Sequence, residues 1–261
     1  MTPRILIIAG SDPSGGAGVQ ADIKTVTMLG GYAMTAITAI TVQNTLGVSA
    51  IHSIPQAIIA GQVRAVLDDI GADAIKIGML GDSATIETVA NCLADVRLPI
   101  ILDPVMVAKG GAALLEEDAT WALVHRLLPL ATLLTPNAPE LAILAETDIA
   151  DETDMLLAAQ ELLVRGPRAI LAKGGHLDGE IVVDWLVSHS HQQRFEARRI
   201  ESRHTHGTGC TLASAVATLI GRGLPLPQAV EQARAYVRSA IAAAPGFGAG
   251  HGPLLHNFAL L

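Results

Sequence analysis

The segment His206-Gly207-Thr208-Gly209-Cys210-Thr211 carries the most suggestive chemistry in the chain. It runs into Leu212-Ala213-Ser214-Ala215-Val216-Ala217, a helical stretch of small residues. Glycines let a backbone approach a ligand closely, and a helix start offers unpaired amides at the positive end of the dipole. Gly207, Thr208 and Gly209 can therefore form an anion hole for a transferring phosphoryl group. Cys210 falls in the first turn, where the dipole shifts a thiol toward thiolate. The alternative is a buried, inert cysteine near a helix start.

A second glycine-rich loop reads Gly10-Ser11-Asp12-Pro13-Ser14-Gly15-Gly16-Ala17-Gly18. Its stretch Gly16-Ala17-Gly18-Val19-Gln20-Ala21 formally matches the dinucleotide fingerprint. No acidic residue closes the next strand, Ala39-Ile40-Thr41-Val42-Gln43, which argues against a nicotinamide enzyme. A Walker phosphate loop is absent too, and a plain turn-forming role for these glycines stays open. In Thr135-Pro136-Asn137-Ala138-Pro139-Glu140, Asn137 and Glu140 have capping-box spacing. They could equally organise water around Mg²⁺, which takes few protein ligands directly. Asp103, ending Leu102-Asp103-Pro104, is either a turn residue or a second carboxylate for metal or phosphate. Lys173, before Gly174-Gly175-His176, can reach phosphate oxygens or simply solvent. His204 and His206 have no third ligand at zinc-like spacing.

These groups need a frame. Residues 5–9 form a short apolar run that reads as a buried strand. Val19, Ile23 and Val26 then give a helix one apolar face. Strands are expected over 34–42, 73–77, 99–102, 132–134 and 169–172, with a hairpin pairing 181–187 and 194–197. Helices are expected over 55–70, 83–96, 119–128, 139–145, 153–164, 210–221 and 226–243, and 245–252 reads as a surface loop. Such alternation implies a parallel sheet covered by helices on both faces. Gly10, Gln43, Gly78, Asp103, Asn137 and Lys173 all follow strand C-termini, the edge where open α/β sheets bind ligands.

Composition agrees. The 261 residues are 50% hydrophobic but only 3% aromatic, as buried strands under close-packed helices require. A net charge of −8 argues against nucleic acid, so any phosphate site must be built locally. Two cysteines, Cys92 and Cys210, make neither a disulfide framework nor a zinc site and fit a reducing cytoplasm. The N-terminus lacks a signal-peptide pattern, and no apolar run is long enough to span a membrane. With no composition shift, residues 1–261 read as one domain.

The loop at 9–18 with Gln20-Ala21-Asp22 resembles the N-terminal signature of hydroxymethylpyrimidine (phosphate) kinases. Lys76-Ile77-Gly78-Met79-Leu80, Asp103-Pro104-Val105-Met106, Thr135-Pro136-Asn137, Lys173-Gly174-Gly175-His176 and the turn at Cys210 are similar to that family's later blocks, in order. The resemblance implies a ribokinase-like three-layer α/β/α sandwich with a mostly parallel central sheet, Mg·ATP as donor, and a homodimer. It implies two successive phosphorylations, of 4-amino-5-hydroxymethyl-2-methylpyrimidine and then of its monophosphate, for thiamine biosynthesis. On this match Asp22 and Gln43 would hydrogen-bond the aminopyrimidine, and Gly10, Met79 and Val105 would line its pocket. Asp103, Asn137, Glu140, Lys173 and Thr208 would serve the phosphates and Mg²⁺, with Asp103 and Glu140 holding the metal partly through water. Cys210 would take the place of a catalytic aspartate found in other ribokinase relatives. Rival readings are a pyridoxal or pyridoxine kinase, which shares a cysteine in this turn, and a ligand-binding protein that kept the fold.

Overall fold

The structure is a computed structural model, and it describes residues 1–108, 111–116 and 118–261. The chain begins with β1 (Arg4–Ser11), α1 (Gly18–Met28), β2 (Tyr32–Asn44) and β3 (Gly47–Ser53). It continues through α2 (Gln56–Ala65), β4 (Ala74–Ile77), α3 (Ser83–Leu93), β5 (Ile100–Leu102) and the short α4 (Ala119–Ala122). Next come β6 (Leu133–Leu134), α5 (Ala138–Ala145), α6 (Glu152–Leu162) and β7 (Ala169–Lys173). The hairpin β8 (Ile181–Ser188) and β9 (Gln192–Arg198) precedes the last helices, α7 (Thr208–Gly221) and α8 (Leu226–Ala242).

One nine-stranded sheet runs in the order β3-β2-β1-β4-β5-β6-β7-β8-β9. From β2 to β7 every pairing is parallel, while β3, β8 and β9 pair antiparallel at the two ends. The strands alternate faces with period two. Leu6 and Ile8 of β1 enter a core with α2 through α6, whereas Ile5, Ile7 and Ala9 enter one with α1, α7 and α8. This is the expected α/β/α sandwich. All residues from Thr211 to Leu219 of α7 are buried. Small side chains there let the sheet, α1 and α8 close on the helix from several sides.

Two expectations need correction. The edge strand β3 was not read from the sequence, because Gly47-Val48-Ser49-Ala50 lacks a strong apolar alternation. In α1 the buried face is Val19, Ala21, Asp22, Thr25 and Val26, while Ile23 is 40% exposed. A charged residue occupies the inward position and an isoleucine the outward one. The reason lies on β4, where Lys76 faces Asp22.

Candidate active site

Strand order reverses at β1, since β2 lies on one side of it and β4 on the other. A parallel sheet opens a crevice beyond the strand C-termini at such a point. Here the crevice is a cavity of about 840 Å³. Gly10, Gln43, Met79 and Val105 line one part of it, and Asp103, Asn137, Glu140, Lys173 and Thr208–Cys210 line another. Apart from Asp22, every site residue expected from the sequence reaches this cavity.

Gly207 adopts φ +84 and caps α7. A Cβ at this residue would lie 1.8 Å from the carbonyl oxygen of Gly16, so only glycine lets the two glycine-rich loops pack together. Two residues on, Gly209 brings backbone close to charge. A Cβ on it would sit 3.3 Å from Asp103 Oδ2 and 3.4 Å from Lys173 Nζ. The first-turn amides of α7 therefore converge with a lysine and a carboxylate at one place.

Lys173 Nζ donates to Asp103 Oδ1 at 3.1 Å, and Thr135 Oγ1 donates to the same oxygen at 3.1 Å. Burial alone would lower the Lys173 ammonium, but Asp103 and Glu140 raise it above the ordinary lysine value, so it stays charged. Asn137 and Glu140 form the capping box of α5, each accepting from the other's backbone N–H. Burial pushes the Glu140 carboxyl up to about 7, against the pull of Lys173. The pair caps α5 and also lines the cavity. Two carboxylates against one ammonium leave room for a divalent cation with oxygen ligands. Among the described residues no group of three or more His, Cys, Asp or Glu side chains is set to hold a metal by itself.

Cys210 stands at the cavity floor, but not as a thiolate. Burial pushes its thiol up to about 12, outweighing the nearby Lys76 and a hydrogen bond from the Gly18 amide. The helix start was expected to lower it. Desolvation wins because Asp22 and Asp103, both close by, further disfavour a third anion.

Asp22 does not reach the cavity. It is fully buried, with Oδ2 2.8 Å from Lys76 Nζ and Oδ1 accepting from Ser214 Oγ at 2.7 Å. Burial pushes its carboxyl up. Lys76 is pulled down by burial but raised further by Asp22, and it remains cationic. With no exposure and no place in the cavity lining, Asp22 is out of a heterocycle's reach. It ties α1 to β4 and α7 beneath the site.

Some cavity residues were missed or undervalued. Asp12 is buried and binds His206 Nε2 at 2.8 Å. Burial pushes the Asp12 carboxyl up, but hydrogen bonds from His206 and Ser14 outweigh it and hold it below the ordinary carboxylate range. In sequence His206 stands out only as half of a His-x-His pair; its partner in the fold is Asp12, in the other glycine-rich loop. Residues 245–252 are more than a surface loop. Gly252 accepts from the His206 amide, and the His251 amide donates to Thr45, so this segment straps the β2–β3 turn to the start of α7. Arg199, whose guanidinium is held by the carbonyls of Gly175, Leu177 and Gly179, lines the far end with Val237 and Arg238.

A switch-point cavity joining an amide-lined helix entry to a half-apolar pocket defines a ribokinase-like small-molecule kinase. Comparison with known proteins narrows this. The phosphomethylpyrimidine kinase family model matches residues 12–255, and the chain belongs to that family. It is 47% identical to the hydroxymethylpyrimidine/phosphomethylpyrimidine kinase of Streptomyces coelicolor, covering 99% of this chain and 96% of that one. It is 48% identical to the thiamine biosynthesis bifunctional protein ThiED of Geobacter sulfurreducens over 98% of this chain, but spans only 52% of that protein's length. Among solved structures, the ADP complex of Bacillus subtilis pyridoxal kinase superposes with a TM-score of 0.93 at 34% identity, each chain covered completely.

Proposed function

We propose that this protein transfers phosphoryl groups from ATP to 4-amino-5-hydroxymethyl-2-methylpyrimidine, giving the monophosphate and then the diphosphate for thiamine biosynthesis. The single observation that carries the reading is the convergence at Gly209 of helix-start amides, Lys173 and Asp103, in the same cavity that Gln43 lines. Family membership and the relatives' names support the choice of pyrimidine.

In this reading Gln43 pairs with the aminopyrimidine edge, while Gly10, Met79 and Val105 form its apolar walls. The nucleotide's adenosine lies toward Val237 and Arg238. Its γ-phosphoryl group meets the amides of Gly207–Cys210, Thr208 and Lys173. Asp103 and Glu140 would hold Mg²⁺, partly through water, and the ion would neutralise phosphate charge there, while Asn137 fixes Glu140 through the capping box. The hydroxymethyl oxygen forms a bond to the γ-phosphorus as the bond to the bridging oxygen of ADP breaks. Phosphoryl transfer is chiefly positioning and charge stabilisation, through a loose transition state. The alcohol proton leaves late, onto the transferring phosphoryl oxygens, with Cys210 beside it as a neutral thiol. In the second transfer the nucleophile is an oxygen of the monophosphate, already anionic near neutral pH.

The protein acts as a homodimer in the cytoplasm. Exposed Ile40 and Val42, on one face of β2 beside the edge strand β3, supply an apolar patch for a second copy. Among the described residues no helix is long and apolar enough to cross a membrane.

A second reading, pyridoxal phosphorylation, is favoured by the close superposition on pyridoxal kinase. Parallel incubation with Mg·ATP and each compound separates them. Mono- and diphosphate from the pyrimidine, at rates above pyridoxal turnover, are expected. Pyridoxal phosphate as the sole product overturns the proposal.

A further inference from the structure

A row of polar groups runs along the cavity wall from Ser11 to Asp12 through Thr41, Gln43 and His206. With the Gln43 amide oxygen toward Thr41, its donors and acceptors do not match. Thr41 Oγ1 lies 3.0 Å from the Ser11 carbonyl oxygen and 3.0 Å from Gln43 Oε1. Both partners are acceptors and the hydroxyl has one hydrogen, so one contact lacks a proton. At the other end Gln43 Nε2 is 3.4 Å from His206 Nε2. That ring nitrogen is also 2.8 Å from Asp12 Oδ2. Asp12 accepts from Ser14 N, Ser14 Oγ and Ala17 N as well, which marks it as the acceptor. His206 Nε2 therefore carries a hydrogen, and the Gln43 amide nitrogen faces another N–H.

Turning the Gln43 amide by half a revolution about its last bond removes both conflicts. Thr41 then donates to the Ser11 carbonyl, and Gln43 N–H donates to Thr41 Oγ1. The Gln43 carbonyl accepts from His206 Nε2–H, which it shares with Asp12. Thr41, Asp12 and His206 are all buried, where a mismatched polar contact is costly.

We infer that His206, anchored by Asp12, is the positioning residue that sets the orientation of the Gln43 amide and thereby the substrate edge the site accepts. The inference rests on the proposed role of Gln43 at the heterocycle. The oriented amide keeps one N–H and one carbonyl lone pair for a ligand. A ring nitrogen beside an exocyclic amino group fits these in one sense only. A 4-oxo analogue, with a ring N–H beside a carbonyl, presents the reverse order and meets donor with donor.

The test compares kcat/KM for the 4-amino-5-hydroxymethylpyrimidine and its 4-oxo analogue in wild type, His206→Leu and His206→Gln. Sites built to hydrogen-bond a substrate reject mismatched analogues strongly, so wild type should prefer the amine by about 100-fold or more. His206→Leu frees the amide to turn and should cut that preference about 10-fold, with KM for ATP within about 2-fold of wild type. His206→Gln, which keeps an N–H donor at similar reach, should restore most of the preference. Undiminished preference in His206→Leu, or equal losses on both compounds with KM for ATP rising in parallel, overturns the inference. Should His206→Leu fail to fold, His206→Met, which fills the space with a longer and more adaptable apolar side chain and still lacks the N–H, gives the same readout, and an unchanged preference in it is equally decisive against the inference. Wild-type protein that phosphorylates neither compound contradicts the proposed function, and the inference falls with it. Wild type active on the amine with variants indifferent contradicts the inference alone.

Discussion

Asp22 Oδ2 and Lys76 Nζ stand 2.8 Å apart, and neither side chain has any exposure. The pair joins α1 to β4, and Ser214 adds α7 by its bond to Asp22 Oδ1. Two helices that begin at the cavity, α1 and α7, are thus pinned to the strand that leads to Met79. A buried ion pair is weak evidence of net stability, but removing one partner leaves an uncompensated charge.

Asp22→Ala should consequently destabilise the fold by about 3–5 kcal/mol in denaturant titration, as should Lys76→Ala. Replacing both by apolar residues of similar volume should cost less than the two single changes added together. An Asp22→Ala protein of wild-type stability that had lost only pyrimidine affinity would restore the direct binding role expected from the sequence.

For Cys210 the structure implies slow, featureless chemistry at neutral pH. Burial pushes the thiol up to about 12, so the neutral form persists from pH 5 to 9. Iodoacetamide labelling of a Cys92→Ser protein should rise with pH through this range without an inflection. Labelling that saturates below pH 8 would mean a thiolate, able to act as a base.

Glu140 gives a pH dependence of definite sign. Its carboxyl is raised by burial from 4.5 to about 7 in the folded protein. The folded state then binds more protons than the unfolded chain between these values, and stability from this group falls as pH rises through that window. Glu140→Gln should flatten the fall. Because a metal binds the ionised form, the apparent affinity for Mg·ATP should strengthen as pH rises through 7 in wild type and not in Glu140→Gln. A wild-type affinity flat across pH 6–8 would contradict the metal role.

Gly207→Ala tests the packing of the two glycine-rich loops. The residue has φ +84 and a Cβ would meet the Gly16 carbonyl at 1.8 Å. Shifting the start of α7 should cost activity about 100-fold or more, since small misplacements from reacting geometry are that expensive. Wild-type kcat in a folded Gly207→Ala protein, checked by a cooperative thermal melt, would contradict the close loop contact.

Much of this molecule is legible in its sequence because parallel strands and their helices obey simple periodicities. The ligand edge could be placed from Gly10, Asp103 and Lys173, each ending a strand. What could not be read depended on partners far along the chain. The inward turn of Asp22 is decided by Lys76, 54 residues on in sequence. The neutral state of Cys210 follows first from burial and then from the neighbouring Asp22 and Asp103, where the helix dipole alone suggested the opposite. His206 acquires its role only once the loop with Asp12 folds against it, a contact across 194 residues. The edge strand β3 escaped because edge strands need no continuous apolar pattern.

The most direct test is a crystal structure with a non-hydrolysable ATP analogue, Mg²⁺ and the hydroxymethylpyrimidine. The hydroxymethyl oxygen should lie about 3–3.5 Å from the γ-phosphorus, in line with the bridging atom. Amides of Gly209 and Cys210 and the Lys173 ammonium should lie about 2.7–3.2 Å from γ-phosphate oxygens. A γ-phosphate seated away from the start of α7, or a pyrimidine bound apart from Gln43, would contradict the central claim.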